Sequence, residues 1–362
     1  MAPAVEPDFL PRCRRLLDRG DDMGTRWPRA VSVLLVGAGT MGRVHGEAWA
    51  QMQQRALGIR VVGVVDPDAN GARLAADLNV PHWVAWEDAP LSEVDLVDVA
   101  SPTPTHAGYV EAAAASGKAI LCEKPLALTV EEAEAIASAV HRGGVRLAVG
   151  HVVRYFPAYR RAHDLVVAGE LGAVAVAHLY RGGAFPRGHR DWYQDRRQSG
   201  GPLLDLSLHD FDFLLWTFGA PASVFAQEVD VTEPTPLAHA TATLRFPHGL
   251  LAQVVGSWAG TRFGTRLELA GSEGLLAHDS LRDETLRLTR RQGVDRPADV
   301  AVPGADPADN PWERQLTDVV DRLVHDRPFE VGLPEALAAI RLASEARQSV
   351  LSGGVVTCGG PQ

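Results

Sequence analysis

Two short stretches of this chain carry side chains of the type and spacing needed to move a proton and hold a developing charge. The first is Leu203-Leu204-Asp205-Leu206-Ser207-Leu208-His209-Asp210-Phe211-Asp212. Asp205, His209 and Asp212 fall at i, i+4 and i+7, the spacing of one helical face. Histidine is the side chain suited to exchange a proton near neutral pH. A carboxylate one turn away fixes its tautomer and supports its protonated form. Leu204, Leu208, Phe211 and Leu215 repeat the spacing on a neighbouring face, which is expected to pack into a core. Asp210 falls outside both stripes and is expected to be solvated. A metal site and a structural ion pair are competing readings. No Cys/His cluster in the sequence completes a metal site, and none is expected.

The second stretch is Glu123-Lys124-Pro125, which follows the apolar run at 118–122. In open α/β sheets the ligand crevice lies outside the carboxyl ends of the strands. A lysine placed there can hydrogen-bond a substrate hydroxyl and stabilise the alkoxide that forms when the hydroxyl is oxidised. The competing reading is a surface lysine beside a turn proline.

A third feature supplies the partner for that chemistry. Residues 33–42 read Val-Leu-Leu-Val-Gly-Ala-Gly-Thr-Met-Gly, with Gly37, Gly39 and Gly42 spaced as G-x-G-x-x-G. The first glycine permits a tight turn, the second lets backbone approach a pyrophosphate, and the third lets helix pack on strand. The helix that follows points free N–H groups and its positive dipole end at the phosphates. A second apolar run ends at Asp66, whose carboxylate suits the two hydroxyls of an adenosine ribose. It would repel a ribose 2′-phosphate, and no cation follows until Arg73, so NAD is expected in preference to NADP.

Alternating elements must position these groups. From Val31 to Gly150, strands at 31–36, 60–65, 82–86, 94–99, 118–122 and 145–149 alternate with helices starting near Met41, Ala69, Thr105 and Thr129. Val-rich strands alternating with helices predict a parallel, doubly wound Rossmann sheet. Thr129 with Glu132 forms a capping-box pattern, and Gly143-Gly144 closes that helix. After residue 150 a helix is expected at 157–169, a strand at 173–181, an aromatic and arginine-rich loop at 182–201, and a helix at 202–218. Strands at 222–230, 239–246, 250–258, 264–270 and 274–278 then follow without helices between them, which predicts a large, mostly antiparallel open sheet in an α+β domain. A Pro/Asp-rich loop covers 291–309, and helices at 310–325 and 333–352 close the chain. The expected division is an extension at 1–30, a Rossmann domain at 31–150, a substrate and oligomerisation domain at 151–332, and a terminal helix and tail at 333–362 that pack back on the Rossmann domain. An open sheet face requires cover, so self-association through it as a dimer or tetramer is expected.

The composition narrows the class of partner. A net charge of −10 argues against nucleic acid and anionic membranes. No apolar run approaches the ~20 residues that span a bilayer. Cys13, Cys122 and Cys358 are widely separated and odd in number, which points to a reducing cytoplasm. Residues 1–30 are polar and mixed in charge and are expected to be poorly ordered. Arg14-Arg15 is followed by Asp18, Asp21 and Asp22 rather than an apolar stretch, so no signal peptide is read, and Met23 is an alternative start.

Further motifs extend the pattern: Ser101-Pro102-Thr103 with His106, Gly150-His151-Val152-Val153-Arg154-Tyr155, and Gly200-Gly201-Pro202 leading into the Asp205 stretch. With the glycine loop and Glu123-Lys124-Pro125, in this order, the chain from about Val31 to Thr357 resembles the glucose–fructose oxidoreductase / inositol dehydrogenase / rhizopine-catabolism (Gfo/Idh/MocA) family. The resemblance implies that Lys124, Asp205 and His209 are the catalytic set. It implies a cofactor site of Gly37, Gly39, Thr40, Met41, Gly42, Asp66, Ser101, Pro102, Thr103, His106, Glu123 and Lys124, with Pro102, Thr103 and His106 at the nicotinamide side. A cis Lys124–Pro125 peptide that aims the lysine inward is also implied. Two departures stand out: the family often has asparagine at Thr103, and its inositol-type members tend to carry arginine at Val153, which weakens an inositol assignment.

Substrate contacts are expected from Arg154, Trp192, Tyr193 and Asp212, the aromatics by stacking on a sugar face or else by anchoring their loop. The function these residues predict is hydride transfer between NAD and a secondary hydroxyl of a sugar, sugar derivative or cyclic polyol. His209 acts as base, Asp205 orients it, and Lys124 stabilises the alkoxide. A redox-assisted glycoside hydrolase, a sugar-sensing regulator without turnover, and a reductase of a small imine or dihydrodiol are the alternatives.

Overall fold

The computed structural model describes residue 27 and residues 29–233, 235–291, 298–300 and 310–359. The expectations for residues 1–26, including Cys13 and Met23, and for most of the loop 291–309 lie outside the described residues.

The first sheet is parallel and six-stranded, in the order β3-β2-β1-β4-β5-β6. Its strands are β1 (Val31–Val36), β2 (Ile59–Val65), β3 (His82–Trp83), β4 (Leu96–Val99), β5 (Ala119–Cys122) and β6 (Leu147–Val149). Every residue of β1 is buried, as a strand covered on both faces requires. The connecting helices are α1 (Thr40–Gln54), α2 (Ala69–Leu78), α3 (His106–Ala115) and α4 (Val130–Gly143). Thr129 caps α4 by accepting from the Glu132 N–H at 3.2 Å, and Gly144, at φ +60°, closes it. The edge strand β3 is shorter than expected, because Trp86–Asp88 turns into a 3₁₀ segment.

The second sheet has nine strands, in the order β14-β13-β12-β11-β7-β10-β9-β8-β15. They are β7 (Val174–Gly182), β8 (Ser223–Val231), β9 (Leu237–Arg245), β10 (Leu251–Ser257), β11 (Gly264–Gly271), β12 (Gly274–Asp279), β13 (Asp283–Arg290), β14 (Ala298–Val300) and β15 (Val356–Thr357). Only the β7–β10 pairing is parallel. Alternation along β9 buries Ala238, Ala240, Ala242 and Leu244, and the last three join the core that holds Leu208, Phe211 and Leu214.

Four sequence expectations change here. The helix expected at 202–218 is two helices, α7 (Gly201–Asp205) and α8 (Leu208–Phe218), after the short α6 (Arg196–Ser199) and, earlier, α5 (Pro157–Val167). The break at Leu206-Ser207 lies against β10, where a Cβ on Gly256 would stand 2.4 Å from Ser207 Oγ. α9 (Pro311–Val324), grouped by sequence with the second domain, places Leu316, Val319 and Val320 with Trp49 and Met52 of α1. α10 (Leu333–Ser352) serves both cores: Ala336 and Ile340 join the first, and Ala339, Leu342, Ala343 and Ala346 the second. The tail does not return to the Rossmann sheet; Val356 and Thr357 pair antiparallel with Val224 and Ser223. The backbone groups of β8 at that edge require partners, and the tail supplies them.

Candidate active site

The register of the parallel sheet sets the site. Val36 lies beside Val65 and Val99, Val99 beside Cys122, and Cys122 beside Val149. The residues that follow these strand ends, Gly37, Asp66, Ser101, Glu123-Lys124 and Gly150-His151, therefore emerge along one edge.

Each glycine of the loop has a distinct steric reason. Gly37 adopts φ +101°, and a Cβ there would stand 2.6 Å from Ser101 N. A Cβ on Gly42 would stand 2.1 Å from the Gly37 carbonyl oxygen, so α1 meets the loop in direct contact. Gly39 is the opposite case, with nothing within 4 Å of an added Cβ. That space lies at the N-terminus of α1, where Gly39 brings no capping side chain and the first-turn N–H groups of Thr40, Met41 and Gly42 face outward from the helix. Asp66 is fixed facing the loop: Oδ2 accepts from Ala38 N at 2.7 Å and Oδ1 from Asp68 N at 2.8 Å. Arg43 is paired with Asp77 at 3.1 Å. Open space at a helix N-terminus and a fixed carboxylate after β2 fit a dinucleotide with an unphosphorylated ribose.

Two loops meet beside this space. His106 is buried with Nδ1 2.9 Å from the Pro125 carbonyl and Nε2 2.9 Å from the Ser101 carbonyl, and so ties the 101–103 loop to the 123–125 segment. Burial lowers its pKa despite those two bonds. Ser101 Oγ lies 2.7 Å from Thr105 Oγ1, which donates to the Pro102 carbonyl at 2.7 Å; Thr103 is buried beneath them. The Lys124–Pro125 peptide is cis.

Lys124 Nζ donates to the Asp205 carbonyl at 2.9 Å and to Asp205 Oδ1 at 3.0 Å. Only two of the 35 Lys and Arg residues in the chain are lysines, Lys118 and Lys124. A sequence that uses arginine almost everywhere places a compact ammonium here, which presents a point charge where a guanidinium would present a planar fork.

His209 opens the following helix. Its Nδ1 is buried without a hydrogen-bond partner. Burial, then the charges of Lys124, Arg181 and His151, hold its pKa well below the ordinary value, so the ring is neutral. Asp205 does not orient it. The described hydrogen bonds of the Asp205 side chain go to Lys124, and His209 Nδ1 makes none.

Asp212 and Arg154, expected at the substrate, are joined to each other instead. Arg154 Nε donates to Asp212 Oδ2 at 2.9 Å, Nη2 to Oδ1 at 2.6 Å, and Nη1 to the Glu330 carbonyl at 3.1 Å. The two residues are 4% and 1% exposed, so this is an internal bidentate pair that leaves neither free to meet a ligand. Asp210, expected in solvent, is fully buried and receives Arg181 Nε at 3.2 Å and Nη2 at 2.9 Å. α8 lies between β7 and α10, so even positions off its apolar stripe face protein.

Trp192 and Tyr193 lie with ring centres 4.1 Å apart, and Tyr193 meets Trp258 edge-on at 5.8 Å. Burial, then the charges of Asp205 and Glu123, raise the Tyr193 pKa. His151, named by sequence only as part of a motif, and the group His45, Trp49 and Asp98, which the sequence did not single out, lie near the site. His45 falls three residues beyond Gly42 on the helix that starts at the glycine loop, a position that would have flagged it. Among the described residues no group of His, Cys, Asp and Glu is arranged to hold a metal, and no helix is long and apolar enough to cross a membrane.

A parallel sheet with a dinucleotide loop, a second, mostly antiparallel sheet, and a lysine and a buried histidine after the strand ends define a nicotinamide-dependent oxidoreductase. Residues 31–151 match the oxidoreductase family with an NAD-binding Rossmann fold, and residues 159–277 match the Gfo/Idh/MocA C-terminal domain. The chain belongs to the Gfo/Idh/MocA oxidoreductases and carries an NAD-binding Rossmann domain. It is 28% identical over 274 residues to scyllo-inositol 2-dehydrogenase (NAD(+)) of Bacillus subtilis, covering 73% of this chain and 78% of that one. It is 32% identical over 226 residues to UDP-N-acetylglucosamine 3-dehydrogenase of Acidithiobacillus ferrooxidans, covering 62% and 66%. Its fold matches levoglucosan dehydrogenase in complex with NADH and levoglucosan, with a TM-score of 0.81 at 20% identity over 92% of this chain and all of the other.

Proposed function

We propose that this oxidoreductase oxidises a secondary hydroxyl of a sugar, sugar derivative or cyclic polyol, with Lys124 and His209 as catalytic residues and Asp205 as the group that holds Lys124. The observation that carries the reading is the pairing of an ammonium fixed by Asp205 with a neutral imidazole in its field, both beside the strand ends that follow the dinucleotide loop. NAD, when bound, supplies the hydride acceptor. Gly39 and the first turn of α1 take the pyrophosphate, Asp66 the adenosine ribose, and Ser101, Pro102, Thr103 and Glu123 border the nicotinamide side. His209 accepts the hydroxyl proton as general base. Lys124 donates to the same oxygen and stabilises the alkoxide. Trp192 and Tyr193 offer ring faces and edges to a sugar, and the buried Trp258 packs against Tyr193 and holds their loop in place.

The dehydrogenase names of the relatives support this substrate class, and the pairing of Lys124 with a histidine whose Nδ1 is unpartnered supports oxidation of a hydroxyl. Purified protein, NAD and a panel of inositols, aldoses, amino sugars and sugar acids form the test. Net NADH formation with one stereochemical class supports the reading; release of a free sugar without net NADH would replace it with redox-assisted glycoside cleavage.

Self-association through the open sheet belongs to the same reading. Val229 and Leu251 point from its uncovered face and are 51% and 43% exposed. A native mass equal to one 38.8 kDa chain would remove this part of the proposal.

A further inference from the structure

Behind Lys124 lies a buried line of charged groups that the proposed chemistry does not use. His45, on α1, is fully buried. Its Nδ1 is 3.0 Å from Asp98 Oδ2 and its Nε2 is 3.1 Å from Glu123 Oε1. Asp98, on β4, also accepts from Trp49 Nε1 at 2.7 Å. Glu123 follows β5, and its other oxygen, Oε2, accepts the Lys124 N–H at 3.0 Å. Gly150, at the end of β6, makes room for this carboxylate: a Cβ there would stand 2.8 Å from Glu123 Oε1.

Nδ1 hydrogen-bonds Asp98, while Nε2 faces Glu123 at ion-pair distance without a hydrogen bond, and an imidazole held between two carboxylates is favoured as the cation by both charges. Burial pushes the His45 pKa down, but Asp98 and then Glu123 outweigh it and lift it to about 10. Burial likewise pushes Glu123 up, and His45, then Lys124, bring it below the usual carboxylate range. Asp98, His45, Glu123, Lys124 and Asp205 thus alternate in sign from α1 to α7. A buried carboxylate that loses its cation either takes up a proton or finds another partner. The nearest cation to Glu123 after His45 is Lys124 itself.

We propose that His45, wedged between Asp98 and Glu123, is a positioning residue that fixes the Glu123 carboxylate and, through it, the Lys124 ammonium. The inference rests on the reading of Lys124 as the alkoxide-stabilising group, and its test needs no substrate. With only two lysines, protein labelled with ¹³C at the lysine ε-carbon gives one side-chain signal for Lys118 and one for Lys124. His45→Gln and Glu123→Gln are each expected to shift the Lys124 signal and leave Lys118 in place. The double variant is expected to match Glu123→Gln alone, because His45 acts through Glu123. An unshifted Lys124 signal in folded His45→Gln would overturn the proposal, as would a double variant whose shift is the sum of the two.

If His45→Gln does not fold, ¹⁵N-histidine spectra of the unaltered protein decide. One ring with both nitrogens protonated at a pH of about 8, where an ordinary histidine is neutral, is expected, and no such ring would overturn the proposal. A Lys124→Ala variant that still turned over substrate would sink the proposed function while leaving the measured His45–Glu123–Lys124 coupling intact, so the two failures are distinguishable.

Discussion

Lys124 Nζ donates to both the carbonyl oxygen and the carboxylate of Asp205, at 2.9 and 3.0 Å. The two side chains are 14% and 13% exposed, so the pair sits just inside the surface, where solvent screens it incompletely. A main-chain oxygen as one of the two acceptors ties the ammonium to the fold of α7 as well as to a rotatable carboxylate. His209, on the next helix, keeps its ring nitrogen free.

The freedom of His209 sets the pH dependence of turnover. A general base must be unprotonated, and burial with the charges of Lys124, Arg181 and His151 moves its protonation to well below 6.5. kcat/KM is therefore expected to stay flat from neutral to mildly acidic pH, without the fall near 6.5 that an ordinary histidine would give. His209→Asn is expected to lose about 10²–10⁴-fold in kcat with NADH affinity retained. A full acid limb centred near 6.5 would assign the base to another group.

The glycine loop separates steric from binding effects. Gly42→Ala drives a methyl onto the Gly37 carbonyl and is expected to lower thermal stability as well as NADH affinity. Gly39→Ala meets open space in the protein alone. It is expected to keep the melting temperature and still weaken NADH binding, because the methyl enters the volume assigned to the pyrophosphate. Fluorescence titration with NADH, beside a melting curve, reads both.

The Arg154–Asp212 pair is expected to act on stability rather than on substrate affinity. Asp212→Asn leaves a buried guanidinium without its counter-charge, a change that costs about 3–5 kcal/mol. Urea unfolding is expected to show that loss, with KM unchanged in whatever folded protein remains. A raised KM at unaltered stability would return the pair to the substrate site.

Stability is expected to fall on both sides of neutrality. His45 has its folded pKa raised, to about 10, so its contribution is complete below 6.5 and is lost as pH rises towards that value. His106, His151 and His209 have folded values lowered by burial, so theirs is present above 6.5 and is lost as pH falls below it. Melting temperatures across this range, repeated with His45→Gln, should show the alkaline loss diminished in the variant and the acid loss kept.

The sequence patterns reached the parallel sheet of the first domain and the glycine loop because both follow from local rules. Val-rich strands alternate with amphipathic helices, and the G-x-G-x-x-G spacing is itself a short local signature. Helical spacing also brought Asp205, His209 and Asp212 to attention, but it assumed one uninterrupted helix. The break at Leu206-Ser207 lies against Gly256, some fifty residues away, a contact no local pattern reveals. The partners of the acids were hidden for the same reason: Arg154 comes from the segment after β6, Arg181 from β7 and Lys124 from the end of β5. His45 lay in plain view beside the loop, but its meaning required Asp98 and Glu123 from two further strands.

The central claim is that Lys124 stabilises charge on an oxidised hydroxyl. It is tested most directly by the rate of a single hydride transfer in the unaltered protein, in Lys124→Ala and in Lys124→Arg, at matched NAD occupancy and with the substrate found in the sugar and polyol panel. The account predicts a loss of about 10²–10³-fold in both variants with nucleotide affinity preserved, since an arginine keeps the charge but not the point geometry. Equal rates in all three proteins would contradict it.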